Sequence, residues 1–245
     1  MQFDHISSHY EEAVDERLKL ALGGEPSDYY LRLKARELLD LLGRAGLEPR
    51  RAAVLDVGCG TGRMLELLKP DVGSIAGVEP SEGMLQRARE RLSGVPLERV
   101  SGESLPFPDA SFDAAFASCV FHHAPRAAFG PLVREMARVL KPGGAAVVFE
   151  HNPLNPLTRW VVARCPVDVG VVLVRPAELR TACAGAGLED IATRYIVFFP
   201  RPLAALRPLE PALHGVPLGG QYYVSARKPF GAPSSGPKPA ASPTT

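Results

Sequence analysis

The sequence predicts an α/β fold, a three-layer α/β/α sandwich around a mostly parallel seven-stranded sheet whose last strand is antiparallel. Short apolar runs alternate with segments of helical periodicity, which is typical of a parallel sheet that helices cover on both faces. Because no crossover helix need separate the final two strands, we expect those two to form an antiparallel hairpin. The predicted strands are residues 53–57, 74–78, 112–118, 145–150, 195–199 and 221–227, and the predicted helices are residues 61–68, 81–92, 125–140 and 176–185.

The 245 residues are expected to form one domain with an extension at each end. Residues 1–50 are predicted to be an N-terminal helical cap, since apolar residues between positions 30 and 42 share one helical face. Residues 51–230 have the length and apolar content for a single core. Residues 231–245 are mostly Pro, Ser, Ala and Gly, which offer little apolar area to bury, so we predict a disordered tail.

The amino-acid composition of the chain limits the kinds of binding partner that we expect. The chain has 28 Lys and Arg against 27 Asp and Glu, a net charge of +1, which provides no broad field for nucleic acid. Its 4 cysteines are scattered without a Cys-x-x-Cys pair, which indicates a reducing compartment, and we predict the cytoplasm. The acidic first 20 residues do not resemble a signal peptide, and no apolar run is long enough to span a bilayer. These features argue against a nucleic-acid partner and against a membrane crossing.

A glycine-rich loop follows the first predicted strand, where Asp56 precedes Gly58, Gly60 and Gly62. Glycines let the backbone approach a ligand where side chains would clash. Glu79 ends the next strand, where a carboxylate can bind ribose hydroxyls. A dinucleotide loop would need glycine at position 63, where Arg63 stands, so the spacing favours S-adenosylmethionine over NAD. A nicotinamide oxidoreductase and a non-catalytic nucleotide-binding protein are the alternatives.

Five segments in order carry a resemblance to a known family. They are Val-Leu-Asp-Val-Gly-Cys-Gly-Thr-Gly at 54–62, Gly-Val-Glu-Pro-Ser-Glu-Gly-Met-Leu at 77–85, Leu-Pro-Phe-Pro-Asp-Ala-Ser-Phe-Asp at 105–113, Phe-His-His at 121–123 and Leu-Lys-Pro-Gly-Gly at 140–144. Over residues 52–150 the chain resembles the class I S-adenosylmethionine-dependent methyltransferases with a Rossmann-like fold, in the small-molecule group of the ubiquinone and menaquinone enzymes. The resemblance implies methyl transfer to a small molecule, most simply to oxygen, with nitrogen and carbon left open.

The resemblance also implies roles for individual residues. Asp56, Gly58 and Gly60 would hold the methionine part of the cofactor, and Glu79 would hold the ribose. Met84 would cover one face of the adenine, and the backbone of Ser118 would lie near the methionine amino group. Relatives often carry an Asp that contacts the adenine amino group. Here Ser101 stands at that place, so the resemblance implies an adenine contact from the segment Ser101, Gly102 and Glu103, with Glu103 as the alternative to Ser101.

Histidines at the same sheet edge are candidates for the general base. A hydroxyl acceptor must lose a proton, and a histidine near the methyl group would promote the reaction. His123 follows the fourth predicted strand and His151 follows the fifth. Glu150 is an alternative orienting carboxylate, and ordinary packing remains an alternative for each histidine. No helix-spaced histidine pair with a third ligand is present, so we predict no metal.

Two further segments are expected to form the acceptor side, residues 151–160 and 198–218. Trp160 could stack on a planar substrate or simply pack, and Arg159 could pair with an acidic group. The apolar residues of 198–218 suit an apolar or lipid-like acceptor, while a lid or a homodimer contact is the alternative.

Overall fold

A computed structural model describes residues 11–13, 27–100, 104–168 and 170–230. Within these ranges, the strands form one seven-stranded sheet in the order β3-β2-β1-β4-β5-β7-β6. The strands are β1 (Ala53–Val57), β2 (Ser74–Glu79), β3 (Leu97–Arg99), β4 (Phe112–Ser118), β5 (Leu140–His151), β6 (Glu189–Ile196) and β7 (Gln221–Arg227). Strands β1 to β5 pair in parallel, while β7 pairs antiparallel with both β5 and β6. The predicted fold class is confirmed.

Helices cover the two faces of the sheet over separate apolar clusters. The described helices are α1 (Ser27–Arg44), α2 (Arg63–Leu68), α3 (Glu82–Arg91), α4 (Phe129–Val139), α5 (Pro156–Val162), α6 (Pro176–Gly185) and α7 (Glu210–Leu213). Leu38 of α1 and Leu65 of α2 pack with Val54 of β1, whereas Met136 of α4 packs with Leu55 on the opposite face. Neighbouring strand residues point to opposite faces, so one buried strand supplies both clusters.

Several predicted boundaries differ from the structure. The strand predicted at 195–199 is β6, Glu189–Ile196, and it ends before Val197, whose φ of 66° leaves the extended region. The strand predicted to begin at residue 145 begins at Leu140. The short strand β3 was not predicted by position, because three residues carry no periodic signal.

Two helices begin at residues that usually interrupt a helix. Pro131 lies in the first turn of α4, where its missing N–H is not needed, so the helix continues to Val139. The turn-forming residues at 152–156 start helix α5, since the Asn155 side chain accepts a hydrogen bond from Thr158 N and Pro156 follows at the first helical position.

The order of the strands in the sheet indicates where a ligand site should lie. The chain continues from β1 to β2 on one side of β1, while β4 lies on its other side, so the order reverses between β1 and β4. Ligands bind in such a crevice outside the carboxyl ends of the strands. Among the described helices, none has the length and apolar content needed to cross a membrane. The predicted tail at 231–245 and most of residues 1–26 of the predicted cap lie outside the described residues.

Candidate active site

The loop after β1 has the geometry that the glycines predict. Gly58 has a φ of 84°, and a Cβ at that position would lie 2.5 Å from Cγ2 of Val120. Gly60 has a φ of 53° with open space where its Cβ would stand. The backbone N–H groups of Gly58 and Cys59 donate to the carbonyl oxygen of Val78, at 2.8 and 2.9 Å, and fix the loop to β2.

The carboxylate of Glu79 connects this loop to the start of α3. Oε2 of Glu79 accepts a hydrogen bond from Gly60 N at 2.9 Å, and Oε1 accepts one from Ser81 N at 2.9 Å. Ser81 in turn caps α3 by accepting from Met84 N, as its position before the helix predicts. A carboxylate has about four acceptor sites, so Glu79 can still bind a ligand's hydroxyl groups.

Helix α1 contributes a lysine that the sequence analysis missed. Lys34 is 4% exposed, and its Nζ donates to Ser118 Oγ at 3.0 Å and Cys119 Sγ at 3.2 Å. No carboxylate among the described residues forms an ion pair with this ammonium. A lysine on the apolar face of a predicted helix was the available signal, since lysine is almost never buried without a partner.

Four of the site's side chains form a largely buried cluster beyond β4. His122 and His123 lie in the 3-10 turn Phe121–His123, and Nδ1 of His122 lies 2.6 Å from Oε2 of Glu150 at the end of β5. Oδ1 of Asp168 lies 3.4 Å from Nε2 of both His122 and His123. The predicted base His123 is therefore in the site, and Glu150 orients its neighbour His122. Asp168 was missed because its segment has no periodic pattern.

The loop and the histidine cluster line one cavity of about 270 Å³. Asp56, Gly58 and Gly60 lie along one wall, and the side chains of His123 and His151 line another. The acceptor segments contribute Leu157 and Thr158 from α5 together with Phe198 and Pro200, and Val161 of α5 adds to the same wall just beyond the predicted segment. Both predicted segments therefore reach the cavity.

Trp160 does not line this cavity, so its predicted stacking on a substrate is not supported. The ring is 44% exposed, and the guanidinium of Arg164 stacks on it at 4.7 Å. Trp160 lies one residue before the cavity-lining Val161, on a different face of the helix.

Comparisons with known proteins define the family. The family model "Methyltransferase domain" matches residues 55–148. The 27-O-demethylrifamycin SV methyltransferase of Amycolatopsis mediterranei is 36% identical over 222 residues, which cover 76% of this chain and 81% of that protein. This chain is a class I S-adenosylmethionine-dependent methyltransferase. Neither the nicotinamide oxidoreductase nor the non-catalytic alternative is retained.

Two further similar proteins align with this methyltransferase over different shares of their own length. The trans-aconitate 2-methyltransferase of Methylobacterium nodulans is 39% identical over 158 residues, but the chain spans only 58% of its length. A solved S-adenosylmethionine-dependent methyltransferase of Thermotoga maritima, described as a possible histamine N-methyltransferase, has a TM-score of 0.67 at 25% identity. That alignment covers 93% of this chain and 98% of the other.

The described residues of the methyltransferase fit S-adenosylmethionine at its amino-acid end. Asp56 is 1% exposed, and no described group forms a hydrogen bond with its Oδ1. Burial and the charge of Glu79 raise the pKa of Asp56, while Lys34 lowers it. An unsatisfied buried carboxylate and a buried ammonium without a carboxylate partner suit the ammonium and carboxylate groups of the methionine part.

Other predicted contacts stay predictions. Ser118 lies at the end of β4, with its side chain on Lys34. Met84 is 2% exposed and does not line the cavity, so its predicted contact with adenine depends on a rearrangement of its side chain. Ser101, Gly102 and Glu103 lie outside the described residues.

Electrostatics divide the histidines of the methyltransferase into different protonation states. Burial lowers the pKa of His122, but Glu150 and Asp168 more than offset it and raise that pKa to about 10. Burial, with the charge of His122, lowers the pKa of His123 to about 4. At neutral pH, His122 is therefore an imidazolium between two carboxylates, and His123 is a neutral imidazole at the cavity wall.

The same cluster has the donors of a metal site. One nitrogen of His122, one of His123 and an oxygen of Asp168 all lie within 4.8 Å of one another. A proton on His122, held by its two carboxylates, would compete with a cation for the ring nitrogen. The absence of a metal stays a prediction.

Proposed function

We propose that this methyltransferase transfers the methyl group to a hydroxyl oxygen of an uncharged, largely apolar small molecule. The observation that carries the proposal is the neutral imidazole of His123, which lines the cavity beside the carboxylate of Asp168. A hydroxyl must lose a proton during methylation, whereas a neutral amine can be methylated without a base. A neutral histidine at the cavity wall therefore favours oxygen as the acceptor atom.

In this proposal, the cofactor occupies the β1 side of the cavity. Asp56 and Lys34 hold the methionine end together with the backbone of Gly58, Gly60 and Ser118. Glu79 holds the ribose and Met84 contacts the adenine, and a contact of Ser101, Gly102 or Glu103 with the adenine stays a prediction from the family resemblance. When bound, S-adenosylmethionine supplies an electrophilic methyl group.

His123 takes the acceptor's proton. A neutral imidazole has one ring nitrogen that can accept a proton, and the oxygen of a hydroxyl becomes strongly acidic as it bonds to the methyl carbon, so a base of low pKa suffices. Oδ1 of Asp168, 3.4 Å from Nε2, stabilises the imidazolium that forms. Glu150 and the imidazolium of His122 hold this arrangement in place.

His151, the other predicted base, is assigned the role of a hydrogen-bond donor. Burial lowers its pKa, but the neighbouring Cys119 raises it above the ordinary value, which favours the protonated ring. A protonated imidazole donates hydrogen bonds and accepts none. We therefore assign proton acceptance to His123 and hydrogen-bond donation at the cavity wall to His151.

The cavity wall indicates the acceptor class. Leu157, Val161 and Phe198 are apolar, so a ligand there is recognised mostly by burial of apolar surface. The positive charges of His122 and His151 are balanced by the carboxylates of Glu150 and Asp168, so this wall has no excess positive charge to attract a carboxylate or phosphate near the reacting group. The name of the 36% identical relative refers to a 27-O position, which agrees with an oxygen acceptor.

The test combines an acceptor panel with two variants. The full chain is incubated with S-adenosylmethionine and neutral phenols, alcohols, amines or carboxylates, and formation of S-adenosylhomocysteine is measured. We expect turnover with hydroxyl compounds, a loss of roughly 10²–10⁴-fold in kcat for His123→Gln, and a smaller loss for Asp168→Asn. Cofactor affinity should be unchanged in both variants.

His214→Gln is the matched control, since His214 lies outside the cavity lining and should leave turnover close to that of the parent. Selective turnover of amines, or full activity of His123→Gln with a hydroxyl acceptor, would contradict the proposal.

A further inference from the structure

The four cysteines differ in environment more than their positions in the sequence indicate. Cys59, Cys165 and Cys183 are buried, with 7%, 7% and 2% exposure. Cys119 is half-buried and lines the cavity, directly after Ser118 at the end of β4. Its Sγ lies 3.2 Å from Nζ of Lys34.

The charges around Cys119 favour its thiolate. Burial raises the pKa of Cys119, but the Lys34 ammonium and the His151 imidazole more than offset it, and the pKa falls to about 6 despite the opposing charge of Glu150. Lys34 belongs to α1, while His151 and Glu150 belong to β5, and the imidazolium of His122 lies in the turn that follows Cys119. Each of these three elements thus places a positively charged group near the sulfur, while Glu150 of β5 opposes them.

Contact with the cavity does not by itself lower the pKa of a cysteine. Cys59 and Cys165 also line the cavity, but burial raises the pKa of both, for Cys165 to about 12. Burial also raises the pKa of Cys183, to about 11. The nucleophilic form of cysteine is the thiolate, so the thiol beside Lys34 and His151 is chemically distinct from the other three.

We propose that Cys119 is a modification site, a cavity thiolate that hydroperoxides oxidise reversibly, and that its oxidised form excludes the cofactor. The sulfur forms an S–O bond with one peroxide oxygen while the O–O bond breaks. Sulfur is oxidised to a sulfenic acid, and the other oxygen leaves as hydroxide, or as alkoxide from an organic hydroperoxide, which a proton converts to water or an alcohol. Two molecules of a thiol reductant return the sulfenic acid to the thiol, with release of water and formation of their disulfide. The added oxygen lies beside Lys34 and competes with the methionine carboxylate of the cofactor for the Lys34 ammonium. Exclusion of the cofactor therefore rests on the proposed function, which places that carboxylate at Lys34.

Reactivity is tested first on the full-length parent protein, without any acceptor. Native protein is treated with limiting iodoacetamide from pH 5.5 to 9, and mass spectrometry measures the rate of alkylation at each cysteine. We expect Cys119 to react at least about tenfold faster than the other three at pH 7, since their thiols are almost wholly protonated there. Equal rates at all four cysteines would overturn the proposal.

Lysine variants test the cause. Lys34→Gln should slow alkylation of Cys119 at pH 7 by about tenfold, as its thiolate fraction falls toward that of an ordinary thiol with a pKa of about 8.5. Lys34→Arg should keep most of the rate. Lys141→Gln is the matched control, since Lys141 pairs with Asp113 away from the cavity. An unchanged rate in folded Lys34→Gln would overturn the assigned cause.

Oxidation is then measured with hydrogen peroxide and the sulfenic acid trap dimedone. We expect a dimedone adduct at Cys119, protection by S-adenosylhomocysteine, and loss of S-adenosylhomocysteine binding that dithiothreitol restores. In Cys119→Ser, peroxide should change that binding little relative to the untreated variant. Absence of an adduct would overturn the site, whereas an adduct with unchanged binding would overturn cofactor exclusion. Neither result depends on the acceptor, so failure of the proposed hydroxyl methylation is read separately.

Discussion

At the scale of single residues, the site consists of ionisable groups in places where this fold otherwise buries apolar side chains. Lys34, Asp56, Glu79, Glu150 and Asp168 are each less than 10% exposed. Removing a charge from water is costly unless partners compensate it. Glu79 and Glu150 are compensated by backbone N–H groups and a histidine, whereas Asp56 and Lys34 keep capacity for a ligand.

A substitution at Glu79 tests the cofactor side. Glu79→Ala removes the acceptor for Gly60 N and Ser81 N and the proposed ribose contact. We expect weaker binding of both S-adenosylmethionine and S-adenosylhomocysteine by roughly 1.5–3 kcal/mol, about 10- to 150-fold in Kd. Calorimetric titration measures the change. Glu82→Ala is the control, since Glu82 is an exposed neighbour in α3. Unchanged affinity in folded Glu79→Ala would remove Glu79 from the cofactor site.

At the scale of elements, the acceptor wall depends on how α5 starts. Oδ1 of Asn155 accepts a hydrogen bond from Thr158 N at 3.0 Å, and its Nδ2 donates to the carbonyl oxygen of Leu218 at 2.6 Å. Asn152 adds a bond from Nδ2 to Gly219 O at 2.7 Å. These side chains tie α5 to the loop before β7, which fixes the position of Leu157 and Val161 in the cavity.

The start of α5 can be weakened without touching the loop after β1. Asn155→Ala removes the cap and the bond to Leu218, so we expect a free energy of unfolding lower by about 1 kcal/mol. The acceptor KM should rise while cofactor affinity stays unchanged, because the apolar wall becomes less ordered. Denaturant unfolding and steady-state kinetics measure the two effects. Asn155→Asp, which retains the cap, should recover most of the stability. A shift in cofactor affinity with an unchanged acceptor KM would contradict this division of the cavity.

At the scale of the whole molecule, the His122 cluster joins three parts of the chain that are distant in sequence. Glu150 of β5 contacts His122 through Nδ1 and also accepts from Phe121 N at 2.8 Å. Asp168 approaches the opposite side of the same ring. The protonated ring of His122 therefore holds together the turn after β4, the end of β5 and the turn at 166–168. We expect its protonation to influence global stability.

Stability should depend on pH through His122. Its folded-state pKa, about 10, lies above its ordinary value of 6.5, so its contribution is fully present below about pH 6.5 and is lost as the pH rises toward 10. We expect the stability difference between the parent and His122→Gln to be largest near pH 6.5 and to shrink toward pH 10. Thermal unfolding across this range measures it. For Arg50→Gln, which removes an exposed ion pair, the difference should be small throughout. A difference for His122→Gln that does not vary with pH would refute the charged state of His122.

The sequence by itself determined the sheet, its parallel pairing and the glycine-rich loop, because period-two and helical patterns and glycine positions are local properties. It also indicated Glu79 and His123, since both follow directly from the ends of predicted strands. Only the tertiary structure decided that Lys34 and Asp168 reach the same cavity and that Trp160 does not. The place of Lys34 on an apolar helix face signals burial but not which cavity it reaches, because that contact depends on how α1, α5 and the turn at 166–168 pack over the sheet edge. The charge states of His122, His123 and Cys119 have the same origin, since burial and neighbours distant in sequence set each pKa.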